Sequence, residues 1–468
     1  MLVAGCGITP SPAETDRSPT TLTIGLGLAP GGSAGAGMPS TVRNIAFEGL
    51  VAFHPDGRPD GRIAEQWTPS ADGRSIRLKL RRGQFHDGEP ITASIVRDIL
   101  ARELPAYMGQ AFGDVEAIQV VADDELEFTL KQRSTFLIES LDLAITKGGQ
   151  SPIGSGPFHP TGPLDADEVE MLAHEGHYAG KPAIDRIVLK SYTSVRSAWA
   201  DMLRGQVDML YDVGIEARDS LASSTSVKVF EFQRPYAYTV ILNVNTPALR
   251  SAEVRRILNS SIDRAGLIAD GLLGHGVPAD GAVWPQHWAY NPASARIRYA
   301  PQTLSGLKFS CIYVESTHER VALALEQQLR SIGVELTLIP LSTDEGLARL
   351  NSGNFEAALI DVANGPLVRP YLSWHSAGRS NHGHYSSKAV DASLATIQHA
   401  ADDAEYRAGV AAFQDAIAAD PPAIFLAWSE RARAVSTRFQ VPVEAGRDIL
   451  TTLRSWRPAA DTLIADSH

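Results

Sequence analysis

The sequence predicts an α/β fold, on three observations. Short period-two runs of apolar residues alternate with segments of helical spacing, most plainly over residues 307–360, and such alternation builds sheets layered with helices. The chain has 468 residues, 44% hydrophobic and 21% charged, enough for two or three domains with cores of their own. A Gly/Pro cluster at residues 152–158 punctuates it where domains would join.

Charge and cysteine usage narrow the function classes. The formal net charge is −12 with both signs interspersed, which argues against a nucleic-acid partner, since that needs a basic face. No apolar run reaches the roughly 18 residues of a membrane span. Of the two cysteines, Cys311 lies in the apolar run Phe-Ser-Cys-Ile-Tyr-Val and reads as an inert buried thiol. Cys6 ends Leu2-Val-Ala-Gly-Cys6, which resembles a bacterial lipobox and is followed by a Ser/Thr/Pro-rich tether. A signal peptide needs a charged start and about 7–15 apolar residues, and only five residues precede Cys6. The expectation is a precursor that starts upstream or a trimmed chain, with lipid on Cys6.

Taken in order, residues 21–28 alternate as a first strand and enter a loop of tiny residues, 29–38. No Gly-Lys-Ser/Thr follows, so the loop is not a phosphate cradle, but its glycines let backbone approach a ligand. Residues 62–98 read turn, strand, turn, helix. Ala71-Asp72-Gly73 is a turn, Ile76, Leu78 and Leu80 alternate with Arg77, Lys79 and Arg81, and Phe85-His86-Asp87-Gly88 is a second turn. Thr92 stands where an N-cap belongs, ahead of Ile95, Val96, Ile99 and Leu100.

The ordered set Trp67, Asp72-Gly73, Leu80-Arg81-Arg82-Gly83, Phe85-His86-Asp87-Gly88-Glu89-Pro90 and Thr92-Ala93 resembles the marker segment of the peptide/nickel family, family 5. These are the large extracytoplasmic solute-binding proteins of ATP-binding cassette importers. One residue fewer than usual separates Gly83 from the Phe-His pair. As a catalytic dyad, His86-Asp87 has no nucleophile nearby.

Further segments carry the same resemblance over roughly residues 21–439. Ile45-Ala-Phe-Glu-Gly-Leu50 matches it with Phe47 in place of Tyr, and Pro152-Ile-Gly-Ser-Gly-Pro-Phe158 reads as a Gly/Pro joint between domains. His174-Glu-Gly-His177 spaces its histidines i, i+3 rather than i, i+4, and the Gly and Pro after it break any helix. That excludes a zinc-protease motif. Strands are expected at 184–189, at 205–210 and at 236–243, and helices at 197–203 and 251–264. A strand, an amphipathic helix ended by Gly333, and two strands follow, implying a parallel sheet. Residues 391–400 and 404–419 read as helices, and 420–428 as a return strand.

The resemblance implies a two-lobed periplasmic-binding-protein-like fold of type II with an extra inserted subdomain in the first lobe. It divides the chain into residues 1–20, lipobox and tether; residues 21–43, 155–235 and 433–468, lobe I; residues 44–154, the insert; and residues 236–432, lobe II.

Sheets of α/β lobes place ligands at strand ends in the crevice between domains. The loop after Ile360 is such an end and supplies Asp361, Asn364 and Arg369 as candidates. In peptide-binding relatives the matching loop carries an Asp that pairs with the peptide's α-amino group. Asn364 is the best match here and is neutral, so free peptides are expected to bind weakly, and Asn364→Asp to improve them, unless Asp361 serves instead. Tyr236, Tyr238, Trp284 and Trp374 are candidate aromatic walls, and Asn243 closes the strand that leads there. Trp374-His375 and His382-Gly-His384 suggest a metal at first sight, but the segment matches ordinary surface structure in the family; no metal, cofactor or catalytic residue is expected.

The implied protein is a monomer at the periplasmic side or cell surface, lipid-anchored through Cys6. It captures a small-molecule or peptide-like solute by hinge closure and passes it to the inner-membrane permease of an ABC importer. A ligand-presenting sensor for a membrane receptor is the alternative. A secreted hydrolase is a weaker one, for want of a Gly-x-Ser-x-Gly elbow.

Overall fold

The computed structural model describes residues 19–27, 37–149, 151–214 and 217–459. Cys6 and nearly all of the 29–38 loop lie outside the described residues. The mixed α/β fold is two-lobed, and one sheet of eleven strands runs through both lobes.

Two long strands, Val227–Leu242 and Ala423–Ser436, pair antiparallel at the middle of that sheet. Toward the first lobe, the end of Ala423–Ser436 pairs with Met209–Leu210, and the sheet continues through Thr21–Gly27, Arg186–Tyr192, Glu168–Ala173 and Phe158–Pro160. Toward the far lobe, residues 236–242 pair with Ala357–Ala363, followed by Lys308–Val314 and Glu335–Leu341. The expected parallel sheet is present, since Lys308–Val314 runs parallel to both its neighbours. Leu22, Ile24, Met171 and Leu189 fill the first core, and Val240, Leu325, Leu359 and Ile424 the far one.

The central pairing is interrupted. Gln233 faces Glu430 and Ala237 faces Trp428, so Arg234, Pro235 and Tyr236 stand opposite Ser429 alone. Pro235 has no N–H to give a ladder, and extra residues on one strand bend it and increase its twist. The first strand of this pair starts at Val227, not at Tyr236. Its early part carries Lys228, Glu231 and Arg234, a polar composition that hides it from an apolar-run reading.

The insert is a four-stranded antiparallel sheet, in the order Ala64–Pro69, Ser75–Leu80, Glu125–Leu130, Val115–Ala122, packed against helix Ala93–Met108. Its local signals behave as the residues dictate. Gly73 takes φ 69° in the first turn and Gly88 φ 85° in the second. Thr92 Oγ1 accepts from the Ile95 N–H at 3.4 Å, and Ile76, Leu78 and Leu80 are buried against Val96, Ile99 and Leu100. The insert's core is continuous with the far lobe: Phe136 packs on Tyr371 at 5.3 Å between ring centres.

The helix expected over residues 251–264 stops at Ser260, and a second helix, Arg264–Leu272, starts where Asp263 accepts from the Gly266 N–H at 3.1 Å. Helix Thr343–Ser352 was not legible, since none of its residues is buried and no apolar stripe marks it. Cys311 is fully buried, and burial pushes its thiol up to about 12, which makes it inert as expected.

Candidate solute-binding cleft

A cavity of about 420 Å³ opens beside the interrupted pairing. Its walls come from both lobes and the insert: Phe53, His54, Pro55 and Gly57; Tyr211; Phe232 to Pro235; Trp284, Gln286 and His287; Gly365 and Pro366; and Arg433 with residues near 446–451. The turn at His54 is closed by its N–H donating to the Arg58 carbonyl at 2.8 Å. Gly57 is required there. Its φ is 83°, and a Cβ would lie 2.6 Å from the His287 ring. Trp284 Nε1–H donates to the Pro55 carbonyl at 3.3 Å, the Trp288 N–H to the Asp56 carbonyl at 2.9 Å, and the Arg58 guanidinium sits 3.7 Å from the Trp288 ring centre. Trp284 stands edge-on to Trp428, 5.0 Å between ring centres.

The cationic groups of the cleft differ in how they are neutralised. Arg433 grips the Asp448 carboxylate and donates to the Tyr211 carbonyl. Arg447 pairs with Glu444 at 2.5 Å and approaches Asp60 at 3.7 Å. Arg234 lies over the Tyr236 ring at 4.1 Å and has no ion-pair partner among the described residues. Burial pushes the His287 imidazole down to about 4, so it is neutral near pH 7.

Tyr236 and Trp284 therefore stand at or beside the cavity, whereas the other sequence candidates are engaged elsewhere. Tyr238 and Asp361 are register partners on neighbouring strands. One Asp361 oxygen is 3.8 Å from His318 Nε2 and the other 3.4 Å from Arg431, which also holds Asp212 at 3.2 Å. Burial works against the Asp361 charge, but His318, Arg431 and Arg234 hold its carboxyl below the usual range. Tyr238 is pushed up to about 12, by burial and then by the Asp361 charge. One Asp361 oxygen is thus engaged by Arg431, while the other is buried without a hydrogen-bond partner, which weakens its reading as a ready ammonium partner.

Four further corrections follow from burial and side-chain pairing. Asn364 is fully buried, with Nδ2 donating to the Val362 carbonyl at 2.9 Å, so its side chain does not face the cleft, although Gly365 and Pro366 do. Asn243 donates to the Phe355 carbonyl at 2.9 Å and accepts from the Asn245 N–H at 3.1 Å, which fixes a loop. Trp374 is core, edge-on to Phe425 at 5.8 Å. Arg369 pairs with Asp142 of the insert rather than lining the cavity. The residues that sequence reading missed are Arg234, Tyr211, Arg433 and the 54–57 turn; the Arg234-Pro235 pair within a strand was the available signal.

Among the described residues, one trio could bring three metal-ligand atoms together: Glu231, His275 and Glu430. Arg218 already occupies it, 2.7 Å from Glu430 and 3.6 Å from Glu231. His174 and His177 have ring centres 6.2 Å apart. His174 and His86 both donate to the Gly156 carbonyl, at 3.1 Å each, while His177 pairs with Glu48 at 3.2 Å.

Comparison with known proteins supports the two-lobed architecture. The structure of a nickel-histidine-bound NikZ from Campylobacter jejuni superposes with a TM-score of 0.80 at 18% identity, covering 94% of this chain and 100% of that one. The oligopeptide-binding protein AppA from Bacillus subtilis, solved with a nonapeptide, gives 0.79 at 18% identity over the same shares. The glutathione-binding protein GsiB of Pectobacterium atrosepticum is 25% identical over 434 residues, 83% of this chain and 84% of its own. Residues 58–383 match the model of the bacterial extracellular solute-binding proteins, family 5 Middle. With that match over well more than half of its length, the chain belongs to the family 5 solute-binding proteins of ABC importers.

Proposed function

We propose that this protein captures a peptide-like or other polar organic solute between its two lobes, by closure about the interrupted strand pair, and hands it to an importer permease. The observation that carries the reading is the cleft itself. Aromatic and guanidinium groups from the first lobe, the insert and the far lobe converge on about 420 Å³ beside the only partly paired residues 233–237. The lobes divide at Gln233–Ala237 and Trp428–Glu430, with residues 44–154 as an insert of the first lobe. Relatives named for glutathione and a fold neighbour solved with a nonapeptide favour a peptide-like class. The protein acts as a monomer without chemistry of its own, and lipid on Cys6 holds it at the outer face of the membrane.

Small-angle scattering with and without glutathione or a small peptide panel tests closure. A lower radius of gyration on binding is expected; an unchanged profile with ligand bound removes the closure mechanism. For the anchor, the full-length precursor expressed in a bacterium partitions into detergent, and Cys6→Ser releases it. Equal solubility of the two removes the lipid claim.

A further inference from the structure

The charged groups that line the cleft are three arginines and one aspartate: Arg234, Arg433, Arg447 and Asp448. Asp448 is consumed by Arg433, and Arg447 is balanced by Glu444 and Asp60. Arg234 remains. It is half-buried at the interruption of the strand pair, its guanidinium rests on the Tyr236 ring, and no carboxylate is within ion-pair distance of it among the described residues. Asp361 feels its charge but is already paired with Arg431.

A half-buried guanidinium is tolerated while the cleft is wet. Expelling water from around it without an anion costs free energy, because a desolvated charge needs a partner. The fork of a guanidinium offers parallel N–H donors that fit a carboxylate in two bonds, and its flat face stays on an aromatic ring while it does so. The rest of the wall is large and apolar at Phe53, Phe232 and Trp284, which suits an organic body rather than a bare inorganic ion.

We infer that Arg234 is the anion anchor of the cleft, and that the solute is an organic acid whose carboxylate seats on Arg234 while its body lies against Trp284 and Phe53. The inference rests on the proposed binding role and narrows it. It also gives the cleft a bias opposite to an amine receptor, since its carboxylates are already engaged by protein cations. Closure becomes conditional on the acid: a neutral analogue of the same shape leaves Arg234 unpaired in the shut cleft.

The test uses the whole chain purified from a bacterium, emptied by exhaustive dialysis, as wild type, Arg234→Gln and Arg234→Lys. The small molecule released on dialysis is identified by mass spectrometry and titrated back calorimetrically as the free acid and as its methyl ester. Glutathione and its ester are run in parallel, with inorganic phosphate as the bare anion. Wild type is expected to bind acid about ten- to a hundredfold more tightly than ester, the usual worth of a hydrogen bond to a charged group. Arg234→Gln should bind both forms alike and weakly, and Arg234→Lys should restore part of the preference. Melting temperatures should fall only slightly and alike in the two variants, because Arg234 supports no ion pair of the fold and loses mainly its contact with the Tyr236 ring. Equal affinity of wild type for acid and ester, undiminished acid binding by Arg234→Gln, or phosphate binding as tight as the organic acid would each overturn the inference and leave the binding role intact. No binding of any organic probe by any variant would instead remove the binding role, and this inference with it.

Discussion

The backbone N–H of Asn364 donates to the Pro235 carbonyl at 2.7 Å, tying the loop after strand Ala357–Ala363 to the interruption of the central strand pair. The Asn364 side chain faces inward from that tie, with Nδ2 on the Val362 carbonyl. Asn364→Asp would set a buried carboxylate against that carbonyl oxygen. The expected outcome is a loss of roughly 2–4 kcal/mol of stability and no gain in affinity for free peptides. Chemical denaturation and calorimetry with a dipeptide panel check both halves; improved peptide binding at unchanged stability would restore the sequence reading of this loop.

Glu139 of the insert is buried against the far lobe. Tyr406 Oη–H donates to one oxygen at 2.6 Å and the Val368 N–H to the other at 2.8 Å. Burial raises its carboxyl from 4.5 to about 7, partly opposed by those hydrogen bonds. The folded state therefore holds the proton more tightly than the unfolded chain. The stability this contributes is fully present below about 4.5 and is lost as pH rises through about 7. Glu139→Gln should flatten that decline, which melting curves between pH 5 and pH 8 would show. An unchanged slope would mean that Glu139 stays ionised in the fold.

Opposite effects come from the buried histidines. Burial lowers His86 and His287 to about 4, so both are neutral in the fold and protonate more readily once unfolded. Their contribution is present above about 6.5 and is lost as pH falls toward 4. His287→Phe should leave the protein less sensitive to acid between those limits, as read by denaturant midpoints at pH 4.5 and pH 7; an identical midpoint difference in both proteins would remove His287 from the account.

Arg58 reaches from the insert to the far lobe, over the Trp288 ring at 3.7 Å and onto Asp403 at 2.6 Å. Both partners of the ion pair are well exposed, so most of its worth is the ring contact, about 0.5–1 kcal/mol. If ligand exchange breaks this contact, Arg58→Ala should speed solute dissociation about two- to fivefold, measured by stopped-flow fluorescence. No change in rate would show that the insert and the far lobe stay joined while solute leaves.

Gly57 permits the turn that carries Pro55 and Asp56 onto Trp284 and Trp288. Gly57→Ala combines a strained positive φ with a side chain driven into His287, and should cost about 1–3 kcal/mol. A melting temperature equal to wild type would show that the turn can rearrange without loss.

Strands with one wet face, such as Ser75–Leu80, and capped helices, such as Ala93–Met108, were legible because each signal is local. The cleft was less so. Trp284 could be named from composition, but Arg234 and Arg433 become site residues only through what pairs with their neighbours. Asn364 and Asp361 were misjudged because a residue's face in a loop, and the cations waiting across from it, are tertiary facts. The break between Ala252–Ser260 and Arg264–Leu272 was visible in Asp263, an N-cap residue inside an otherwise periodic run.

The lobes are joined by a hydrogen-bonded ribbon rather than by string, since both central crossings are strands of one sheet. A ribbon resists shear and stretch but yields to twist, and here its ladder is broken over residues 234–236 and slips by one residue between Tyr238 and Thr239. If the lobes close as proposed, both irregularities lie within a few residues of each other, and their relative motion is expected to follow essentially a single angular coordinate. Any pair of labels set across the cleft, wherever placed, should report the same two populations in the same proportions.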